Sequence, residues 1–92
     1  MTETITQITK EATLSTKGVA SLGNPIDVYL NKKKEKYDVD VFLNVYFGVK
    51  IPEIAWDVQE NVHTALINAK IDVVEHINIH VQGVKPLKEE NE

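Results

Sequence analysis

The feature that most constrains this chain is a change of hydrophobic period between residues 37 and 84, from two to 3.6 and back to two. A period of two is typical of a strand with one face on a core, and a period of 3.6 is typical of a helix. The first alternating set is Val39, Val41, Leu43, Val45 and Phe47, and the second is Ile77, Ile79 and Val81. The pattern predicts two parallel strands joined by a right-handed crossover through a helix that lies on the sheet.

The helix of this unit is predicted over residues 52–69. Pro52 suits the first helical position, and Glu53 places negative charge near the positive end of the helix dipole. Apolar side chains then recur at helical spacing at Ile54, Ala55, Val58, Val62, Ala65, Leu66 and Ala69. This stripe is the face expected to cover the sheet.

The N-terminal third predicts one more helix and one more strand. Ile5, Ile8 and Ala12 recur at helical spacing over residues 3–17, and Gly18 suits a left-handed C-cap. After Asn24-Pro25, residues 26–31 alternate as a strand, which a lysine-rich turn returns antiparallel to the next. The fold class is therefore α+β in two layers, in the order helix-strand-strand-helix-strand, with a three-stranded mixed sheet covered by two helices. We expect one domain over residues 1–85 and a disordered charged tail over 86–92.

Composition narrows the possible functions. The 92 residues contain no cysteine, carry a net charge of −4, and have lysine at all ten basic positions. These counts exclude disulfides and thiolate metal sites and argue against nucleic acid, because arginine forks are missing. No apolar run approaches the roughly 20 residues of a membrane span, and the N-terminus lacks a basic start followed by an apolar stretch. We expect a cytoplasmic protein with no direct membrane span.

A second stripe on the 52–69 helix is the main candidate for a contact surface. Trp56, His63 and Ile67 fall nearly opposite the core stripe, where a helix covering a sheet should be polar. One interpretation is that the first helix packs over these side chains as an extension of the core. The other is that they form a protein-contact surface, since exposed tryptophan beside an aliphatic residue is typical of interfaces.

Two further patches suggest an alternative function. Tyr29, Phe42 and Tyr46 point to the far face of the sheet, where aromatics can form a stacking platform for single-stranded RNA. Cross-strand pairing or a covering partner explains them equally well. The candidate anion-contact loop consists of Lys32, Lys33, Lys34 and Lys36, and a solvated turn is the simpler explanation for it.

Neither catalytic nor metal-binding residues are predicted. His76 and His80 lie four residues apart on one strand, about 13 Å, so they cannot share an ion. No apolar pocket is evident that would raise the pKa of Asp38 or Asp40 for acid–base work. Glycine motifs that cradle phosphates are absent from the sequence. We therefore expect no enzymatic activity, no cofactor and no small-molecule substrate.

Three segments carry a resemblance to a known family. They are Gly48-Val49-Lys50-Ile51-Pro52-Glu53 after the first long strand, Val58-Gln59-Glu60-Asn61-Val62 on the helix, and Val74-Glu75-His76-Ile77-Asn78-Ile79-His80-Val81-Gln82-Gly83-Val84 at the closing strand. Residues 39–84 thereby resemble the bacterial alkaline shock protein family, also called the glucose-starvation-inducible or envelope stress response family. One departure is that residues 69–72 lack the glycine that usually separates helix and last strand in that family.

The resemblance implies a small non-enzymatic protein linked to cell-envelope stress. It also implies self-association in some members, and attachment of some members to the inner face of the cell membrane through a separate anchor protein. Such a protein would act as a cytoplasmic scaffold, with itself and a membrane-anchored protein as its partners.

Overall fold

The computed structural model describes residues 1–86, so the predicted tail lies almost entirely outside the described residues. Two helices and four strands make up this α+β domain. In chain order they are α1 (Thr2–Leu14), β1 (Val19–Leu22), β2 (Asp27–Asn31), β3 (Lys36–Tyr46), α2 (Ile51–Asn68) and β4 (Val74–Lys85).

The long strand β3 is the centre of one mixed sheet. Along one of its edges β2 pairs antiparallel with residues 36–40 and β1 pairs antiparallel with residues 43–45. Along the other edge β4 runs parallel to β3, and α2 connects the two strands. The strand-helix-strand unit is therefore present as the sequence predicts.

The predicted number of strands, three, is wrong, because the sheet contains β1 as a fourth strand. The sheet is nevertheless only three strands wide, since β1 and β2 lie one after the other along the same edge of β3. The pattern of β1 is hard to detect because the strand has four residues and a register shift between Val19 and Ser21.

The predicted helix over 3–17 ends earlier, at Leu14. The hydroxyls of Ser15 and Thr16 donate hydrogen bonds to the carbonyl oxygen of Ala12, at 3.1 and 2.8 Å. Such side-chain bonds favour a turn over further helix. Gly18 follows with φ of +99°, and an added Cβ there would lie 2.5 Å from Cδ1 of Ile54, so this turn brings the chain close to α2.

One continuous core fills the space between the helices and the sheet. Its members with no exposed surface are Ile5, Val39, Val41, Leu43, Val45, Val58 and Val62. The alternation predicted for β3 is thus confirmed up to Val45. Phe47 is the exception: the strand ends at Tyr46, and the Phe47 side chain is 72% exposed rather than buried in the core.

At the end of α2, a lysine takes the place of the glycine that usually separates the helix from the last strand in the resembled family. Lys70 adopts a left-handed backbone conformation with φ of 65°, which glycine usually supplies at this position after a helix. The amide of Ile71 donates to the carbonyl oxygen of Leu66 at 2.9 Å, and Ile71 itself is buried. Burial of Ile71 and this hydrogen bond hold a lysine in a conformation that is mildly strained for it.

Candidate protein-contact surfaces

The outer stripe of α2 is open in this structure. Trp56 is 61% exposed, Ile67 is 51% exposed, and His63 is also exposed. The first interpretation, in which α1 covers these side chains, does not hold, because α1 packs on the opposite flank of α2. The groove between α1 and α2 is lined by Ile8 and Ala12 of α1 and by Asn61, Ala65 and Asn68 of α2, among others.

A hydrogen bond on that flank joins α2 to the turn that follows α1. The Asn61 side-chain amide donates to the hydroxyl oxygen of Thr16 at 2.8 Å, and Thr16 is buried. Thr9 and Thr13 face the same interior, and their hydroxyls have no hydrogen-bond partner among the described residues. Three inward-facing threonines make this a less apolar contact than that between α2 and the sheet.

The flank of α2 that carries Trp56 borders the outermost strand of the sheet. A shallow groove runs between α2 and β4, lined by Pro52, Ala55, Trp56, Gln59 and residues 77–80. The Gln59 side-chain amide donates to the carbonyl oxygen of Ile77 at 3.2 Å. Trp56 of the contact stripe and the middle of β4 thus line one groove, which helical periodicity alone does not reveal.

The far face of the sheet holds the three aromatics that the sequence places there. Tyr29 is 42% exposed, whereas Phe42 and Tyr46 are half-buried. The ring of Phe42 stacks on the ring of His80, with centroids 4.7 Å apart. Phe42 therefore pairs across the sheet with His80. The face of Phe42 that contacts His80 is not available to stack on a base.

Carboxylates dominate the polar part of the same face. Asp27, Asp38 and Asp40 lie in the registers that surround Tyr29. Asp40 accepts a hydrogen bond from the Asn78 side-chain amide at 2.9 Å, and Nε2 of His80 lies 3.5 Å from the same oxygen. This carboxylate therefore links β3 to β4.

Two pKa values on this face are displaced. Partial burial alone would raise the pKa of Asp40, but hydrogen bonds from Asn78, His80 and Tyr29 outweigh that effect and lower its pKa below the ordinary 3.8. The pKa of Tyr29 is raised from 10.0, by desolvation first and then by the negative charge and hydrogen bond of Asp40. The face thus holds an ionised carboxylate at neutral pH.

His76 and His80 do not face a common ligand position, in agreement with their spacing. His76 Nδ1 lies 3.1 Å from Oδ1 of Asp38, whereas His80 lies beside Asp40. Asp38, Glu75 and His76 bring their donor atoms within 4.8 Å of one another. Lys34 already places its ammonium 3.2 Å from Glu75, and we interpret the group as an exposed ion-pair cluster.

The lysine-rich segment forms the turn between β2 and β3. Besides the Lys34–Glu75 pair, the ammonium of Lys36 donates to the carbonyl oxygen of Asp72 at 3.4 Å. Lys32 and Lys33 are exposed at the tip of the turn. Two of the four lysines therefore contact the start of β4 or the segment just before it, which weakens the case for an anion-binding loop.

Comparison with known proteins gives a family match over nearly the whole described chain. Residues 1–86 match the model of the alkaline shock protein 23 family, described as having a cell envelope-related function. The Bacillus subtilis protein YqhY is 43% identical over 47 residues, which are 51% of this chain and 35% of YqhY. The Streptococcus pyogenes protein Spy1535 is 30% identical over 66 residues, 71% of this chain and 50% of that protein. The chain thus spans between about a third and a half of these relatives.

Similar solved structures are variants of a domain named MamM CTD. One superposes with a TM-score of 0.61 at 18% identity, covering 89% of this chain and 96% of that chain. A copper form gives a TM-score of 0.61 at 17% identity, covering 90% and 98%. At this identity the likeness extends to the fold alone. Among residues 1–86, neither helix is long and apolar enough to cross a bilayer.

Proposed function

Because the chain belongs to the alkaline shock protein 23 family, whose function relates to the cell envelope, we propose that it is a non-enzymatic scaffold that acts through protein–protein contacts. Its partners are further copies of itself and a membrane-anchored protein. Through that second partner it works in the cytoplasm at the inner face of the cell membrane. The stripe of Trp56, His63 and Ile67 is the contact surface.

The exposure of Trp56 carries this proposal. A tryptophan that is 61% exposed beside the 51% exposed Ile67 leaves apolar area in water, and aromatic side chains of this kind are enriched in protein interfaces. Covering them stabilises a complex in proportion to the apolar area removed from water, about 25 cal/mol per Å². The groove between α1 and α2 and the groove between α2 and β4 are shallow, and the titratable side chains that line them, Glu11 and His80, are exposed.

The RNA-binding alternative receives less support. Binding to RNA depends on neutralising phosphates, and the sheet face with Tyr29 and Phe42 carries Asp27, Asp38 and Asp40. Phe42 is also stacked on His80. The test is to titrate single-stranded RNA into the protein at low salt. We expect no change in the fluorescence of Trp56 or of the tyrosines.

The test of the scaffold function is a charge at the centre of the stripe. We expect Trp56→Glu to keep the fold, seen by circular dichroism and thermal unfolding, and to weaken self-association at least about tenfold in sedimentation velocity, because a carboxylate would be buried at the contact. Leu14→Glu is the matched control, since Leu14 is 43% exposed on α1 and lies outside the stripe. Loss of folding in Trp56→Glu, or equal association of wild type and variant, would contradict the proposal.

A further inference from the structure

The outer edge of β4 is open along the strand. Within residues 1–86 the only strand that pairs with β4 is β3, so no strand covers the other edge of this 12-residue strand. One main-chain acceptor in its middle, the Ile77 carbonyl oxygen, is held by the Gln59 side-chain amide, which would have to release it when a second strand pairs there. Such an edge is a template for pairing with another strand. Register shifts at both ends leave residues 76–81 as a regular run, and this run contains neither lysine nor proline.

Trp56 lies over the middle of this run. The β4 residues that line its groove are 77–80, and these are also the central residues of the 76–81 run. A two-fold axis through the middle of the run would therefore bring two Trp56 side chains together above the junction of two strands. An apolar contact over the junction adds to the main-chain hydrogen bonds, which alone give little net stability in water.

The charges at the two ends of β4 select the antiparallel arrangement. Glu75 lies at the N-terminal end of the strand and Lys85 at the C-terminal end. In an antiparallel pair of identical strands, each glutamate comes opposite or diagonal to the lysine of the other copy, where it can share its charge between that lysine and Lys34 of its own chain. In a parallel pair like charges would face each other. A contact between identical patches of this kind closes as a symmetric dimer.

We propose that a second copy of this chain docks antiparallel along β4, about a two-fold axis near Ile79, so that the two sheets continue into one and the two Trp56 rings pack over the junction. This inference rests on the self-association in the proposed function and specifies the surface that performs it. An extended segment of an unrelated protein is the competing occupant of the same edge.

Single cysteines test the docking mode cleanly, because the chain has none of its own. In an antiparallel pair, a residue near the axis lies roughly 5 Å from its own copy when directly opposite and roughly 7–8 Å when diagonal. For an axis at residue 78, 79 or 80, Asn78→Cys or His80→Cys therefore falls within reach of a short bis-maleimide. Both side chains are exposed, and Lys10→Cys on α1 is the matched control.

The outcomes separate the docking mode from the proposed function. Cross-linked dimer from Asn78→Cys or His80→Cys, at several times the yield of Lys10→Cys and suppressed by excess unlabelled wild type, is the expected result. If sedimentation velocity shows dimers while neither position cross-links above the control, the β4 docking mode is wrong and self-association stands. A strict monomer for the wild type over a hundredfold concentration range overturns both. Circular dichroism of each variant confirms that it is folded.

Discussion

The two edges of the sheet are built differently. The edge formed by β1 and β2 consists of strands of four and five residues, separated by a turn with Pro25 and irregular in register at Val19–Ser21. The edge formed by β4 is a single strand of 12 residues with a regular middle. Short strands, proline and bulges all discourage further strand pairing. β4 also has a register shift near each end, but its regular middle makes it the better suited of the two edges to accept a partner.

The same difference appears in the helices above the two edges. α1 contacts β1, β2 and α2, and the turn that follows α1 is hydrogen-bonded to α2 through Thr16 and Asn61. On the β4 side, α2 is the outermost element, and Trp56 borders an open groove. We infer that the first side of the domain is closed for stability and the second is left open for association.

The largest expected effect comes from the strand that both edges share. Leu43 in β3 has no exposed surface, so Leu43→Ala leaves a cavity and should lower the free energy of unfolding by about 2–5 kcal/mol. Because the cavity lies in the common core, association per folded molecule should stay unchanged. Urea unfolding followed by circular dichroism measures the first quantity, and sedimentation of the native fraction measures the second.

Val84→Ala is the control for that experiment, since Val84 is 53% exposed on β4 and surface changes of this type usually fall within about 0.5 kcal/mol. If Leu43→Ala cost no more than this control, β3 would not be the shared core on which the comparison of the edges depends.

The next effect distinguishes the two edges directly. Asn78→Lys places a lysine in the regular run of β4, where two copies would bring like charges together, and should weaken self-association about tenfold. Leu30→Lys makes the corresponding change on β2, where Leu30 is 47% exposed, and should leave self-association unchanged. Sedimentation equilibrium of both variants gives the dissociation constants. A larger effect from Leu30→Lys would reverse the assignment of the open edge.

The smallest effect concerns Asp40, which connects the two sides of the sheet through Tyr29 and His80. Its folded-state pKa is lowered despite partial burial, so its ionised form contributes stability above its unfolded pKa. That contribution is lost as the pH falls through the lower folded pKa. Asp38 and Asp27 also act on Tyr29, so a substitution at Asp40 alone is needed to separate its contribution from theirs.

Asp40→Asn should therefore lose less unfolding free energy than wild type as the pH falls from above the unfolded carboxyl pKa, about 3.9, through the lowered folded pKa of Asp40. Urea unfolding at a series of pH values measures the difference between the two curves. Parallel curves would mean that the hydrogen bonds from Asn78 and His80 do not stabilise the carboxylate.

The sequence predicts the unit from β3 to β4 well, because its periods are long and each period matches one face of one element. β1 is missed because four residues with a register shift hold too few repeats to define a period. Phe47 continues the alternation of β3 in the sequence, but its side chain is not buried, because the main chain turns at Gly48, where φ is +97°. In that case a local turn, which alternation does not encode, decides the burial.

Of the candidate contact residues, the sequence identifies the helix stripe of Trp56, His63 and Ile67 but not the strand edge beside it. Exposure of the stripe depends on which flank of α2 the first helix occupies, and that packing involves contacts between residues far apart in the chain, such as Asn61 and Thr16, which are 45 residues apart. The groove over Ile77 arises only when α2 and β4 are in place. Neither feature has a local sequence signal.

The most direct test of the central claim follows the emission of Trp56, the only tryptophan, as the protein is concentrated. If two copies meet along β4, the emission maximum should shift to shorter wavelength over the same concentration range in which sedimentation velocity detects the dimer, because dimerisation removes the indole from water. Dimerisation with unchanged Trp56 emission would contradict the account and place the contact on another face of the domain.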